Sequence, residues 1–588
     1  MRTPNSCLLP LLLFFVLIVL FLIPLISLLN NDFSIFTIQT FSYLVSLYGH
    51  ANHHSSNFSI PYDEDKSLFW RKGFIGFKDI DEPSSPYSIS RAINPNVSMC
   101  FLVDLPPNAL TSTHCCPSLP FPSKIKDFKD FASPNATLRI RKPVHLVDQE
   151  FIAKFEKGIA LMKALPAHDP RNFDQQSRVH CAYCNGAYHQ PHPFEGLKLD
   201  IHRSWLFFPF HRWYIFFFER ILGNLIGDPN FALPFWNWDS LEGMQIPLYF
   251  SNPNSSLYHK LRDPKHMPPH VVDLAFNGKD NSVPYHQQVS YNLATMYKQM
   301  VLANTKELFM GMPLRVGDKP QPGPGSIESA PHNTVHSWTG DGHAPNREDM
   351  GSFYSAARDP IFYPHHSNLD RMWVLWKTLD EGRKEYSDPD WLNSGFVFYD
   401  ENANPVRVKI KDCIETKNLG YVYEDVDIPW LHYPPTSHRT KLLREAKKAE
   451  ILGSKPTKFP LVLDSIVSTV VKRPKKMRRK EEKEQEEEVL VIEGIEFGSD
   501  KYVTFDVHID DDEDKLSVPD QTEFVGSFVS VSHGHRRQIN TRFMVGISKV
   551  LENLESEGDD YVLVTLVPKS REGEVIIGNI KIELIPKY

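Results

Sequence analysis

Six of the 25 histidines sit in surroundings suited to holding metal. His180 lies in Val-His-Cys-Ala-Tyr-Cys, four residues before Cys184; His202 and His211 lie in Ile-His-Arg-Ser-Trp-Leu-Phe-Phe-Pro-Phe-His-Arg-Trp. His332 and His336 are spaced i and i+4, so both imidazoles project from one face of a helix. His365 and His366 follow Pro364 at another helix start, and either can offer the third nitrogen of that second set. One His-x-x-x-His pair alone is weak evidence; two three-histidine sets at helix starts among aromatics are hard to dismiss. Imidazole suits zinc, copper, iron and nickel alike. A hydrolytic zinc site keeps a metal-bound water beside a carboxylate base, and neither set carries His-Glu-x-x-His. All-neutral nitrogen ligands favour Cu(I), and two such coppers can share one O2.

Such side chains must be held by helices. Proline is tolerated in the first turn of a helix but not inside one, so Pro209 starts the helix carrying His211 and leaves His202 just before it. Over 148–165, Phe151, Phe155, Ile159 and Met162 recur at three or four residues and mark one apolar helix face. Helical pattern returns over 209–225, 291–309 and 364–379. This predicts a mainly α lobe, a four-helix bundle with irregular loops and short strands near 395–399 and 406–410. Segment 472–480 is basic and 481–488 acidic; with the preceding residues they read as a solvated linker over 433–488. Beyond it, alternation over 502–509, 524–531 and 575–585 predicts an all-β sandwich over 489–588.

The whole chain sets the frame. At 588 residues it exceeds one core, and two or three lobes are expected. A net charge of -8 without a basic face argues against nucleic-acid binding. Residues 8–29 are apolar and uncharged, about the ~20 needed to cross a bilayer. Residues 1–30 therefore read as a signal anchor or signal peptide, with Arg2 on the cytosolic side, followed by a Pro-, Ser- and Asn-rich arm over 31–97. That predicts the secretory route to the vacuole or cell exterior, possible membrane anchoring, and no plastid transit peptide. Sequons at Asn57, Asn96, Asn135 and Asn254 then read as glycan sites. Five of the seven cysteines, Cys100, Cys115, Cys116, Cys181 and Cys184, cluster early, as cross-links made in an oxidising compartment would; Cys7 and Cys413 are left over.

The blocks 179–188, 204–222 and 359–373 resemble the tyrosinase, catechol oxidase and haemocyanin superfamily, and closely the plant polyphenol oxidases. The resemblance implies a dinuclear copper oxidase lobe over 98–432, with His180, His202 and His211 on the first copper and His332, His336 and His366 on the second. His365 would then be a packing neighbour. It implies a thioether between Cys184 and His202 and the disulfides Cys100–Cys116 and Cys115–Cys181. Phe353, in Met-Gly-Ser-Phe, resembles the gate ring over the second copper. Glu328 resembles the carboxylate that orients a water, and Asn333 its helper; such a water can act as base on a phenol hydroxyl. The implied activity is oxidation of small phenols, o-diphenols to o-quinones with O2 as co-substrate, together with hydroxylation of monophenols. Asp390-Trp391-Leu392, within 386–432, matches a second signature, and Tyr421-Val422-Tyr423 the tyrosine motif. The C-terminal module's Lys-Phe-Asp-Val appears here as Lys501, then Phe505-Asp506-Val507 after three further residues, which leaves its register open. By resemblance this module covers the copper entrance until an activating protease removes it. The rival readings are a specialised hydroxylase of one phenolic metabolite and a haemocyanin-like O2 carrier; Cys184, a single copper lobe and a detachable β domain argue against the carrier.

Overall fold

The computed structural model describes residues 90–110, 114–118, 124–128, 138–437, 440–453, 456–533, 538–570 and 574–587, all within the unit Tyr87–Tyr588. The apolar segment 8–29, Cys7, Asn57 and Asn135 lie outside the described residues. Among the described residues no helix is long and apolar enough to cross a membrane.

Helix α1, Gln149–Ala164, begins where the Asp148 carboxylate accepts the Phe151 N–H at 2.8 Å, and it buries Ile152, Phe155, Ile159 and Met162 along one face. Helix α2, Phe173–Cys184, forms where the sequence pattern predicts none. Ten of its twelve residues are buried, so no polar stripe marks a face. Its inward glutamines are satisfied instead by backbone, Gln175 donating to Ala167 O at 2.7 Å and Gln176 to Pro170 O at 2.6 Å. Helix α3, Phe207–Ile226, starts two residues before Pro209 and stops at Gly227, whose φ of 74° is the left-handed cap. Helix α4, Tyr285–Tyr297, lies earlier than the predicted 291–309; a π turn, Lys298–Leu302, and a short helix, Lys306–Met310, complete that stretch. Helices α5, Asn333–Thr339, and α6, Phe362–Thr378, follow. Helix α3 packs against both α1 and α6 in one continuous apolar core.

A buried ionic cluster fastens these helices to the chain before and after them. Arg141 donates to Glu219 at 2.8 Å and to Asp370 at 3.4 Å, and Arg212 donates to Asp370 at 2.5 Å. Tyr421 and Tyr423 each donate a hydroxyl to Asp370 at 2.6 Å. The tyrosine motif thus closes the lobe on α6, and its strand Tyr421–Tyr423 runs parallel to Arg139–Arg141. Asp370→Ala removes the carboxylate partner of buried Arg212 and one of the two that pair with Arg141, and chemical denaturation should show a loss of about 3–5 kcal/mol. Two disulfides, Cys100–Cys116 and Cys115–Cys181, tie the arm to itself and to α2, and Cys413 is a buried free thiol.

The C-terminal domain is a β sandwich. Its longer strands are β1 Val467–Lys472, β2 Glu486–Gly498, β3 Val503–Ile509, β4 Phe524–Ser530, β5 Gln538–Gly546, β6 Tyr561–Pro568 and β7 Asn579–Pro586. One sheet runs β4-β3-β6-β1; in the other, β2 lies between β5 and β7. Ile492, Phe497, Phe505, Val507, Phe528, Phe543 and Val564 form its separate core. The 433–488 linker expectation is corrected: strands begin at Leu461, a helix spans Lys441–Leu452, and the charged run is partly buried. Arg473 meets Glu488 at 2.7 and 2.9 Å, and Glu487 accepts Asn304 Nδ2 at 2.9 Å, so opposite charges pair and burial is tolerated.

Candidate metal centre

Each histidine set is assembled from different elements. His180 comes from the last turns of α2, His202 from the loop before α3, and His211 from the first turns of α3. His332 caps α5 and His336 lies one turn on, while His365 and His366 occupy the first turn of α6. His180, His202, His211 and Cys184 have potential ligand atoms within 4.8 Å of one another, as do His332, His336, His365 and His366. The two sets face each other: the His211 and His366 rings stack at 4.1 Å, and those of His202 and His332 lie 5.7 Å apart.

The hydrogen bonds leave nitrogens pointing inward with nothing to bind. A carbonyl can only accept, so ring Nδ1 is the donor in His211 to Phe207 O at 2.9 Å, in His332 to Glu328 O at 3.3 Å and in His336 to Met350 O at 2.7 Å. This places a lone pair on each Nε2. Nε2 of His211 and His332, and both ring nitrogens of His180 and His202, have no hydrogen-bond partner. The His336 Nε2 lone pair stands 3.3 Å from Nε2 of His366, a separation that suits two nitrogens sharing one metal at about 2.0–2.1 Å. His365 differs: its Nδ1 accepts from Trp238 Nε1 at 3.2 Å, which leaves its proton on Nε2. Burial holds all of these imidazoles below their ordinary range, His211 to about 3 and His336 to about 4, so they are neutral at pH 7. Neutral, buried, unpartnered imidazole nitrogens fit copper.

The other expected site residues gather here too. Cys184 is buried in the first set, its thiol pushed up by burial. Phe353 departs from expectation. Its ring stacks on His202 of the first set at 4.1 Å and 14°, while His332 and His336 of the second lie 6.1 and 6.0 Å away. The Phe353 ring thus lies nearest the first set, and its backbone N–H donates to Ser532 O of the β domain at 3.5 Å. Glu328 Oε1 accepts the Arg203 N–H at 2.5 Å, and Oε2 has no partner. Asn333 Nδ2 does not reach toward Glu328 but donates to Val529 O at 2.8 Å. His533, which the sequence reading passes over, sits edge-on to Phe353 at 4.6 Å with Nε2 3.5 Å from Asp200. The Ser-His-Gly-His after β4 was its only signal, and nothing local ties it to residues 330 positions earlier.

Burial pushes the Glu328 carboxyl up to about 8 from 4.5. The native chain then keeps a proton that the unfolded chain releases, so this contribution is present below pH 4.5 and is lost as pH rises towards 8. The buried histidines act oppositely, costing stability as pH falls below 6.5. Glu328→Gln should therefore raise the melting temperature of the metal-free chain relative to wild type, by an increment that grows from about pH 5 to about pH 8.

This geometry defines a class: a helical oxidase lobe with paired histidine sets under a β-sandwich cover. The family model for the common central domain of tyrosinase matches residues 170–379, that for the polyphenol oxidase middle domain 385–436, and that for the chloroplastic polyphenol oxidase C-terminal domain 459–584. The last match identifies the module that carries the spaced Lys501 and Phe505-Asp506-Val507. The chain is 54% identical over 517 residues to a chloroplastic polyphenol oxidase of Malus domestica, covering 85% of this chain and 86% of that one. It is 52% identical over 501 residues to an aureusidin synthase of Antirrhinum majus, covering 83% and 88%. Among solved structures, latent apple tyrosinase aligns with a TM-score of 0.74 and 56% identity over 79% of this chain and 100% of that one. Recombinant latent aurone synthase aligns with a TM-score of 0.79 and 40% identity over 84% and 100%. The chain belongs to the plant polyphenol oxidases of the type-3 copper family. It is a copper-dependent oxidase.

The expected secretory destination is corrected by the same relatives. Those of Malus domestica, Vicia faba and Vitis vinifera, at 54%, 51% and 46% identity, are named as chloroplastic. An apolar N-terminal run signals that a membrane is addressed but not which one, because the address is read by receptors rather than by hydropathy. The glycan reading of the sequons loses its support with it.

Proposed function

We propose that this oxidase converts o-diphenols to o-quinones, reducing one O2 to two waters for every two diphenols. His180, His202 and His211 would hold one copper, and His332, His336 and His366 the other. The observation that supports this best is the two facing sets of buried, neutral imidazoles whose inward nitrogens have no partner outside the sets. Copper, when bound, supplies the electron path between phenol and O2. His366 is preferred to His365 because Trp238 occupies His365 Nδ1. Cys184 is assigned a thioether bond to His202 that would fix that ring; a cross-linked peptide lighter by two hydrogens would test it. Phe353 would shape the apolar approach of the phenol ring.

Glu328 and Asn333 are assigned to a water that takes the proton of a monophenol, which would extend the activity to hydroxylation. Glu328→Gln should then lose monophenol turnover while still oxidising a catechol. Relatives named aureusidin synthase and (+)-larreatricin hydroxylase favour a narrower second reading, in which one phenolic metabolite is the natural substrate. The plastid is the proposed compartment, and a protease cutting between the lobes the proposed activator. The deciding experiment is metal analysis followed by oxygen uptake on a panel of mono- and diphenols, before and after limited proteolysis. Absence of uptake with any catechol, with both coppers bound and the β domain removed, would defeat the proposal.

A further inference from the structure

We propose that Arg203 selects, in the opened site, catechols that carry a carboxylate. The inference rests on the catechol-oxidase reading above.

Arg203 is 2% exposed, yet no carboxylate among the described residues lies within ion-pair distance of its guanidinium. Its Nη2 donates to Ser530 Oγ at 2.5 Å, Nη1 has no partner, and its Cζ lies 5.9 Å from the Phe497 ring centre. The other deeply buried arginines of the lobe are matched: Arg141 meets Glu219 and Asp370, Arg212 meets Asp370, Arg262 meets Asp359, and Arg371 meets Asp239. Burying a guanidinium without a counter-ion is costly, so an unmatched one calls for an account. The nearby carboxylates are engaged elsewhere. Glu328 Oε1 takes the backbone N–H of Arg203, and Asp200 takes Gln321 Nε2 at 2.5 Å and the His202 N–H at 3.0 Å.

Ser530 and Phe497, which meet the guanidinium, belong to the β domain. Ser530 is followed within three residues by Ser532 and His533, which lie against Ser352 and Phe353. One end of β4 therefore covers both the guanidinium and the gate ring stacked on His202, the residue next to Arg203 in the chain. When the β domain leaves, the same step uncovers the gate and an unpaired cation beside it. A planar guanidinium matches a carboxylate through two parallel hydrogen bonds, and a catechol with a short carboxylate side chain offers that group.

The backbone at Arg203 allows a clean substitution. Its φ is 54°, in the left-handed region that asparagine tolerates well, so Arg203→Asn keeps the turn and the N–H bound to Glu328. Arg203→Lys keeps the charge without the planar fork. The copper-loaded full chain is cut between the lobes, the β domain is removed, and oxygen uptake is measured with dihydrocaffeate and with methylcatechol. The quantity read is the ratio of kcat/KM for the acid to that for the neutral catechol. In Arg203→Asn this ratio should fall about tenfold, the order expected for a charge-assisted hydrogen bond, and Arg203→Lys should recover part of it. The wild-type ratio should also fall as salt is added. An unchanged ratio in Arg203→Asn overturns the proposal. So does a variant that merely activates the uncut chain with the ratio unmoved, which would make Arg203 an anchor for the β domain. If wild type oxidises methylcatechol but the ratio ignores Arg203, this inference alone fails; if it oxidises neither compound, the functional reading fails as well.

Discussion

His336→Ala lowers the copper content of the chain from two ions to one and slows oxygen uptake with a catechol by about a thousandfold or more, as when a catalytic unit loses one member. The His336 ring is fully buried, its Nδ1 proton is fixed on Met350 O, and its Nε2 lone pair faces His366. No water or surface side chain can step into that position. The nearest spare imidazole is His365, but its Nδ1 is held by Trp238, so it cannot turn a lone pair inward without breaking that bond. The control is therefore His365→Ala, which should retain two coppers, beside His366→Ala, which should retain one. Metal analysis reads the stoichiometry, and the melting temperature reads whether the fold survives. Retention of both coppers by His366→Ala together with loss of one by His365→Ala would exchange the two assignments.

Cutting the chain between the lobes and separating the β domain should raise catechol oxidation about ten- to a thousandfold. The histidines of both sets are at most 3% exposed, Phe353 is 1% exposed and Glu328 1% exposed, so a phenol has no route to them while the domain is docked. Uptake by the uncut chain then reports the minor population in which the domain has lifted, and a gap of a few kcal/mol leaves about 0.1–10% in that state. Much of the docking is polar and directional. β4 is an edge strand of its sheet, and its free backbone groups are met by side chains of the oxidase lobe: Ser527 O by Ser329, Val529 N by Ser329 and Val529 O by Asn333. Lys298 Nζ donates to Pro519 O, Gln521 O and Phe524 O. Water can replace such bonds once the tether is cut, so the freed domain can leave. His533→Gly in the uncut chain, which removes the ring from Phe353, should recover part of the gain. Equal uptake before and after removal of the domain, with copper unchanged, would contradict this account.

Legibility from sequence followed how local each signal was. The amphipathic stripe of α1 was readable because it buries one face against a core and leaves the other to water. β3 and β4 keep a readable alternation of residue types, although every residue of both strands is buried. Helix α2 was not, because it is buried on nearly all sides and its glutamines turn inward to backbone carbonyls. The basic and acidic run looked like a solvated linker because Arg473 and Glu488, taken singly, resist burial; only their pairing makes it tolerable. That the Phe353 ring lies nearer His202 than His332 or His336 is not legible in Met-Gly-Ser-Phe, because it is set by packing between distant segments.

The sequence alone determined the donor inventory: which histidines come at helix starts, with which spacing, beside which cysteine, and hence that a pair of nitrogen-rich metal sites was intended. Ligand type and helical spacing are local properties, written within a few residues. The tertiary structure decided which imidazole nitrogens are free, that His365 is tied to Trp238, that Glu328 is held high by burial, and that Arg203 is covered without a counter-ion. It also brought His533 against Phe353. Those are properties of burial and of hydrogen-bond partners, and both are set by chain segments hundreds of residues apart that only folding brings together.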